Sequence, residues 1–148
     1  MKPCCLTIAG SDSGGNAGVQ ADLRAFHAYG LHGCTVFAAL TAQNPRGVSA
    51  IHAVPPDFVA AQLDAVLGTY SIAALKTGML ADAAVIDVAA AKLAAYPKIA
   101  KVIDPVMVAT SGARLIEDSA VETLKRKPCM YPSLHGRTVQ AFDPAVVQ

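Results

Sequence analysis

Short apolar runs of strand length alternate along this chain with longer segments in which apolar residues recur at helical spacing. Such alternation is typical of βαβ units arranged around a parallel sheet. The strands are predicted at residues 4–9, 33–40, 72–76 and 100–103. A shorter run at residues 48–54 is rich in Val and Ile and lies between Gly47 and Pro55, so we predict an edge or hairpin strand there.

Helical spacing predicts four helices, three between these strands and one after the last of them. The first follows the glycine-rich segment 10–18 and stops near Gly30, a residue suited to a helix C-terminal cap. It places Val19, Leu23 and Phe26 on one face. The other helices are predicted over residues 56–67, over residues 82–96 and, for a short final one, from Ser119 onward.

The composition fits one globular domain. The chain has 148 residues, of which 53% are hydrophobic, and a folded chain of this size buries roughly 70% of the surface that it exposes when unfolded. Disorder of the whole chain is therefore excluded. The formal net charge is +1 and no long run of Lys or Arg occurs. Because nucleic acids and anionic membranes require a cationic surface, neither is an expected partner.

Targeting signals and cysteine usage indicate the compartment. Ser11 and Asp12 interrupt the first apolar run before it reaches the length of a signal-peptide core, and later runs stop short of the roughly 20 residues of a membrane helix. We therefore expect a soluble, cytoplasmic protein. The four cysteines are Cys4, Cys5, Cys34 and Cys129. They form no Cys-x-x-Cys pair, which favours reduced, buried or half-buried thiols over a metal site.

The glycine-rich segment 10–18 lies where a strand leads into a helix, so its amides could approach a phosphate or a ring substituent. A dinucleotide-binding fingerprint is excluded because Ser13 replaces a required glycine and the second strand leads to Gln43 rather than to an acid. A Walker A loop is excluded because Asn16 and Ala17 stand where Lys and Ser or Thr are needed. A simple tight turn remains the alternative.

Polar residues beside this segment favour recognition of a small polar molecule. They are Asp12, Asn16, Gln20 and Asp22. Three further loops follow predicted strands, at residues 41–44, 77–79 and 104–107. Ligands of open α/β sheets bind at the carboxyl ends of parallel strands, so we expect these loops to converge on one binding edge.

Several sequence segments together carry a resemblance to a known family. They are AGSDSGG at 9–15 with GVQADL at 18–23, TAQN at 41–44, KTGML at 76–80, and DPVM at 104–107 with SG at 111–112. In order and spacing they resemble the hydroxymethylpyrimidine/phosphomethylpyrimidine kinases of thiamine biosynthesis, which belong to the ribokinase-like superfamily. The resemblance extends over about residues 4–126.

The resemblance implies a ribokinase-like, three-layer α/β/α fold with a mostly parallel sheet, of which this chain is the N-terminal part. It also implies ATP- and Mg²⁺-dependent phosphorylation of the hydroxymethyl oxygen of 4-amino-5-hydroxymethyl-2-methylpyrimidine, and then of its monophosphate. The pyrimidine-binding residues that it implies are Gly10, Asp22, Gln43, Met79 and Val106. Asp104 is expected near the phosphates, organising Mg²⁺ through water rather than as a direct ligand.

These assignments make chemical sense, but structural alternatives exist. Gln43 offers both a donor and an acceptor to an aminopyrimidine edge, and Met79 and Val106 offer apolar contact. Met79 is also compatible with simple core packing. Asp104 is also compatible with a role in a turn before Pro105. Lys76 is compatible with a stem that covers apolar surface.

Two segments of the family are missing from this chain. Family members contain an Asn-Pro-x-x-Glu segment that helps place the metal and a Gly-Thr-Gly-Cys loop whose amides form the anion hole and whose cysteine is catalytic. Neither occurs here, so no catalytic residue is assigned. We expect residues 1–127 to be the N-terminal part of the kinase domain and residues 128–148, where periodicity is lost, to be the atypical tail of a truncated or frameshifted product.

Four functional hypotheses follow. The first is a pyrimidine kinase, the second an inactive pyrimidine-binding module and the third a nonfunctional fragment. A different superfamily substrate such as pyridoxal is less well supported, because TAQN and KTGM match the pyrimidine kinases. Since an incomplete sheet has an open edge and uncovered apolar faces, poor solubility or association into a homo-oligomer is also expected.

Overall fold

The computed structural model describes residues 2–104, Thr123 and Arg126. The elements in chain order are β1 (Cys4–Asp12), α1 (Gly18–Ala28), β2 (His32–Asn44), β3 (Gly47–Ala53), α2 (Pro56–Leu67), β4 (Ile72–Thr77), α3 (Ala83–Ala94) and β5 (Ala100–Ile103). The five strands form one sheet in the order β3-β2-β1-β4-β5. All pairs are parallel except β2 with β3, which lies antiparallel at the edge of the sheet. The mostly parallel sheet with an edge hairpin is therefore confirmed.

Helices cover both faces of this sheet. Leu6 and Ile8 of β1 belong to the main hydrophobic core, together with Leu63 of α2 and several residues of α3. Thr7 lies between them, and its hydroxyl donates to Asp22 of α1. Because successive side chains of a strand point to opposite faces, α1 lies on one side of the sheet and α2 and α3 on the other. This is the expected three-layer α/β/α arrangement.

The starts of α2 and α3 follow from local chemistry. Pro56 opens α2, since a residue without an N–H is tolerated in the first turn of a helix. The Asp82 carboxylate caps α3 by accepting the amide of Val85 at 2.9 Å. This helix ends at Ala94, two residues before the predicted end, because Pro97 disfavours helical conformation at the residue before it.

Two strands, β1 and β2, extend several residues further toward their carboxyl ends than predicted. Residues 10–12 remain in β1 because they pair with residues 39–41 of β2. Antiparallel pairing with β3 likewise extends β2 to Asn44. Polar and glycine residues at these ends weaken the apolar signal but do not prevent backbone pairing. The loop between β1 and α1 therefore comprises residues 13–17 only.

Several sequence predictions concern residues outside the described part of the chain. These are most of the final helix from Ser119, the atypical tail from residue 128, and Cys129. Among the described cysteines, Cys5 and Cys34 are buried, Cys4 is half-buried, and none forms a disulfide, as expected. No helix in residues 2–104 is both long enough and apolar enough to cross a membrane.

Candidate functional site

The carboxyl ends of the parallel strands bring the predicted site residues to one edge of the sheet. Gly10 lies near the end of β1 and Gln43 near the end of β2. Met79 follows β4 and Asp104 follows β5. Asp22 approaches from α1, which packs on β1. The remaining predicted residue, Val106, lies outside the described residues.

Gly10 and Met79 are in direct contact. A Cβ atom added at Gly10 would lie 2.6 Å from Met79 Cε, so the missing side chain makes room for the end of the methionine. Met79 is 8% exposed, and it is not among the residues of the main core cluster, which does include its neighbour Leu80. Met79 therefore packs against the glycine of β1 at the binding edge rather than deep between the sheet and α3.

The Asp22 carboxylate is held by two partners. The Thr7 hydroxyl donates to Oδ2 at 2.6 Å, and Lys76 Nζ lies 3.2 Å from Oδ1. Thr7 and Lys76 are neighbours in the register of β1 and β4, so the sheet itself places both donors under α1. With only 14% of the Asp22 side chain exposed, these contacts fix the orientation of its carboxylate.

Lys76 also contacts the second aspartate of the site. Its Nζ lies 3.8 Å from Asp104 Oδ2, as well as close to Asp22. The predicted role of Lys76, in which its stem covers apolar surface, is therefore incomplete, because the ammonium group forms ion pairs with two carboxylates. These three side chains together carry a net charge of −1, which favours binding of a cationic or hydrogen-bond-donating group.

Gln43 is fixed through its backbone and its side chain. The Ser13 hydroxyl donates to the Gln43 carbonyl and accepts from the Gln43 amide, both at 2.8 Å. The Thr41 hydroxyl lies 2.8 Å from the Ser11 carbonyl and 3.1 Å from Gln43 Oε1. These bonds tie the end of β2 to the glycine loop and locate the Gln43 carboxamide at the binding edge.

The amides of the glycine loop are directed at Asp12 of the same chain. The Asp12 carboxylate accepts from the amides of Gly14 at 2.8 Å and of Asn16 and Ala17 at 2.9 Å, and its carbonyl accepts from Gly15 at 2.9 Å. Asp12 is 3% exposed. An internal carboxylate thus occupies the point at which the amides of the loop before α1 converge. These amides are already bonded within the loop, so the expectation that they approach a phosphate or a ring substituent stays a prediction.

Sequence reasoning missed the residues that organise this site. Thr7 had one usable signal, since it is the single hydroxyl residue in the apolar run 4–9. For Lys76 the sequence suggests only that its stem covers apolar surface. The pattern of apolar and polar residues does not reveal its pairing with Asp22, 54 positions away. Ser13 is one of several small polar residues in the glycine-rich segment, and nothing in the sequence distinguishes it.

The described residues contain no ready-made set of direct ligands for a magnesium ion. Among them, no three His, Cys, Asp or Glu side chains are grouped so that they could hold a metal. The Asp104 side chain is 42% exposed and is accessible to a hydrated cation. The Lys76 ammonium lies 3.8 Å from the Asp104 carboxylate. Its positive charge would repel a metal ion that bound directly to this carboxylate.

Comparison with known proteins places this arrangement in a family. Residues 12–131 match the sequence model of the phosphomethylpyrimidine kinases. The thiamine biosynthesis bifunctional protein of Geobacter sulfurreducens is 56% identical over 122 residues, which cover 82% of this chain and 25% of that protein. The hydroxymethylpyrimidine/phosphomethylpyrimidine kinase of Escherichia coli is 48% identical over 122 residues, which cover 82% of this chain and 46% of that protein.

A solved structure agrees with these relatives. The crystal structure of the phosphomethylpyrimidine kinase from Clostridium difficile matches with a TM-score of 0.81 and 39% identity, covering 88% of this chain and 57% of that chain. The expected ribokinase-like fold is thereby confirmed. This chain spans about half the length of the Escherichia coli relative and a quarter of the Geobacter sulfurreducens relative. With the family match extending over well more than half of its residues, this protein belongs to the phosphomethylpyrimidine kinase family.

Proposed function

We propose that this chain binds 4-amino-5-hydroxymethyl-2-methylpyrimidine and takes part in its ATP-dependent phosphorylation, and in that of its monophosphate, in thiamine biosynthesis. The supporting comparison is the family match, in which the Escherichia coli relative is named a hydroxymethylpyrimidine/phosphomethylpyrimidine kinase. The observation that carries the proposal is the meeting of Gly10, Asp22, Gln43 and Met79 at one edge of the sheet. We place this reaction in the cytoplasm.

In the proposed pocket, each residue contributes a distinct contact to the pyrimidine. The Gln43 carboxamide supplies a donor and an acceptor for the ring nitrogen and the amino group. The Asp22 carboxylate accepts from a donor of the substrate, because Thr7 and Lys76 already hold it in place. Met79 contacts the ring and its methyl group, and the bare backbone of Gly10 allows close approach. Val106 would complete the apolar side.

In the proposed reaction the hydroxymethyl oxygen attacks the γ-phosphorus of ATP. Its bond to phosphorus forms as the bond to the bridging oxygen breaks, ADP leaves and the hydroxyl proton is released. Asp104 would hold a hydrated Mg²⁺, and the ion would offset charge on the phosphates. The described glycine-loop amides are bonded to Asp12, so the stabilisation of the transferred phosphoryl group must come from other groups.

That arrangement supports a second candidate function, pyrimidine binding without phosphoryl transfer. The loop amides are satisfied internally, whereas the hydrogen bonds that position Asp22 and Gln43 for a ligand are made. A binding module and a kinase differ in product formation, and a nonfunctional fragment would lack pyrimidine binding as well.

A product assay separates the kinase from the binding module. The purified chain is incubated with Mg-ATP and hydroxymethylpyrimidine, and phosphorylated pyrimidine is sought by mass spectrometry, with the Escherichia coli enzyme as positive control. Product that copurifies with this chain supports the kinase. Absence of product together with saturable pyrimidine binding supports the module. Pyridoxal, offered in parallel, tests the substrate class, and its preferential phosphorylation would contradict the pyrimidine assignment.

A substitution at Gln43 tests the pocket directly. Gln43→Ala should weaken pyrimidine binding by about 1–3 kcal/mol, because it leaves a buried polar edge of the ligand without a partner. The Kd is measured by isothermal titration calorimetry. Gln43→Glu is the companion variant, since it keeps the size and the acceptor but removes the amide donor. An unchanged Kd in both variants, with circular dichroism confirming the fold, would remove Gln43 from the pocket.

The open edge of the described sheet supports self-association. Within the described residues, β5 pairs with β4 on one side only. An unpaired strand edge is a template for another strand, so we propose that the chain forms homo-oligomers at high concentration. Sedimentation velocity over a concentration series tests this, and a monomer at every concentration would contradict it.

A further inference from the structure

The connection between β4 and α3 carries Met79 and contains a strained backbone residue. Ala81 has φ +65°, the one positive value at a residue other than glycine in the described part of the chain. The Asp82 amide donates to the Leu80 carbonyl at 2.9 Å, which closes a γ-turn with Ala81 at its centre. This form of the γ-turn is rare, because a Cβ atom crowds the backbone at positive φ. The surrounding structure therefore compensates for a local conformation that costs free energy.

A second unfavourable feature lies in the same connection. The Thr77 side chain is fully buried, and within the described residues its hydroxyl has no hydrogen-bond partner. Burial of an unpaired hydroxyl costs free energy, as the positive φ of Ala81 does. The path of residues 77–82 is therefore set by contacts with the rest of the protein rather than by its own local stability.

Three contacts fix this path. The Gly78 amide donates to a carbonyl of β1 at 2.9 Å, which ties the start of the connection to the sheet. Leu80 is 2% exposed and belongs to the main core cluster. The Asp82 carboxylate caps α3 by accepting a helix amide at 2.9 Å. Met79 lies between the first two contacts, and the turn at Ala81 joins the second to the third.

We infer that Ala81 is a positioning residue for the pyrimidine pocket, because its left-handed backbone holds Met79 against Gly10. A residue that avoids positive φ would open the turn, so that Leu80 could not stay in the core while Asp82 caps α3. The contact that yields most easily is that of the Met79 methyl group, which packs against the bare backbone of Gly10. This inference rests on the proposed function, which places Met79 in the pocket, but the contact itself is measurable without any pyrimidine.

The first experiment detects the contact between Met79 and Gly10 without ligand. The full chain is labelled at its methionine methyl groups, and Met79→Ala identifies the Met79 signal among the four methionines. In the unmodified chain we expect a nuclear Overhauser effect between this methyl group and the Gly10 α-protons. Ala81→Val should abolish it, because β-branched residues avoid positive φ, whereas Ala81→Gly should retain it. Retention in Ala81→Val, or loss in Ala81→Gly, would overturn the inference.

The second experiment measures the Kd of hydroxymethylpyrimidine by calorimetry in the same variants. Ala81→Val should weaken binding about ten-fold, because a displaced pocket residue must be ordered again when the ligand binds. Ala81→Gly should leave the Kd within about two-fold of its original value, since glycine adopts positive φ freely. In the Met79→Ala background, Ala81→Val should cause no further loss, because two changes that act through one contact are not additive. Additive losses would contradict an effect of Ala81 through Met79.

Gly30 provides the matched control for general destabilisation. Its φ is also positive, at +72°, but it lies between α1 and the start of β2, with nothing within 4 Å of an added Cβ atom. Gly30→Val should lower the midpoint of urea unfolding, as Ala81→Val does, and leave the methyl contact and the Kd unchanged. Equal losses of affinity in the two variants would mean that Ala81 acts through stability alone. Ala81→Leu and Gly30→Leu, which lack the branch at Cβ, provide the same comparison if a valine variant does not fold.

The two experiments separate failure of the positioning role from failure of the proposed function. Loss of the methyl contact in Ala81→Val but not in Gly30→Val, in a chain that binds no pyrimidine, supports the positioning role and contradicts the proposed function. Pyrimidine binding with the same Kd in the unmodified chain and in Ala81→Val overturns the positioning role and leaves the pocket assignment standing.

Discussion

Removal of the Asp12 carboxylate should destabilise the whole binding edge. Its two oxygens accept three loop amides at 2.8–2.9 Å. A hydrogen bond to a charged group contributes about 1.5–3 kcal/mol when buried. The three donor residues Gly14, Asn16 and Ala17 are exposed, so water can hydrate part of what is lost. At about 1 kcal/mol per amide, Asp12→Ala should lower the free energy of unfolding by about 3 kcal/mol.

Urea unfolding followed by circular dichroism measures this change. Asp57→Ala is the matched control, because Asp57 lies exposed in the first turn of α2 and, within the described residues, accepts the amide of its neighbour Phe58. Its loss should be about 0.5 kcal/mol. Asp12→Asn should lie between the two at about 1–2 kcal/mol, since one acceptor oxygen remains and an N–H group faces at least one loop amide. Equal losses for Asp12→Ala and Asp57→Ala would refute the structural argument.

Sulfate supplies an independent readout of the same carboxylate. In Asp12→Ala the freed amides of Gly14, Asn16 and Ala17, which converge in the loop before α1, should bind an external anion. Adding sodium sulfate should therefore raise the unfolding midpoint more in this variant than in the unmodified chain, with sodium chloride at equal ionic strength as the reference. Equal sulfate effects would mean that the amides no longer converge once Asp12 is removed.

Two further predictions concern glycine geometry and a buried thiol. Gly18 has φ +57° and a Cβ there would overlap the Gly10 carbonyl oxygen, so Gly18→Ala should lower the free energy of unfolding by about 3 kcal/mol or more. Gly30 has φ +72° with nothing within 4 Å, so Gly30→Ala should lose only about 1 kcal/mol in the same urea assay, and equal losses would contradict the close contact. Burial and the neighbouring Cys4 and Cys5 raise the pKa of Cys34, so the native state keeps the proton when the unfolded chain releases it. Stability should therefore decline as the pH rises past 9.0, the ordinary value for a cysteine thiol, and less steeply in Cys34→Ala; identical pH profiles would contradict this.

The elements that sequence predicted best are those whose ends depend on local chemistry. The bounds of α2 match the prediction because Pro56 opens the helix and Gly68 follows its last residue. The ends of β1 and β2 were predicted too short because they depend on pairing between distant residues, such as Asp12 with Thr41. A local pattern of apolar residues contains no information about such partners.

The same distinction applies to the site. The motifs identified which residues lie at the carboxyl ends of strands, and the parallel sheet brings the described ones together as the topology requires. The roles of Asp12 and Lys76 were missed because each depends on conformation. The first depends on how residues 13–17 fold back, and the second on the register that sets Lys76 beside Thr7 under α1.

Hydrogen bonds and an ion pair hold two side chains of the candidate site, those of Asp22 and Gln43, in fixed positions. Thr7 and Lys76 hold Asp22, while Ser13 and Thr41 hold Gln43, and every one of these bonds is made within the described residues. Elsewhere in the candidate site, the loop amides are bonded to Asp12, and the Asp104 side chain is 42% exposed. Since preorganised groups favour binding without further ordering, pyrimidine affinity should persist in this chain even where phosphoryl transfer requires donors from elsewhere.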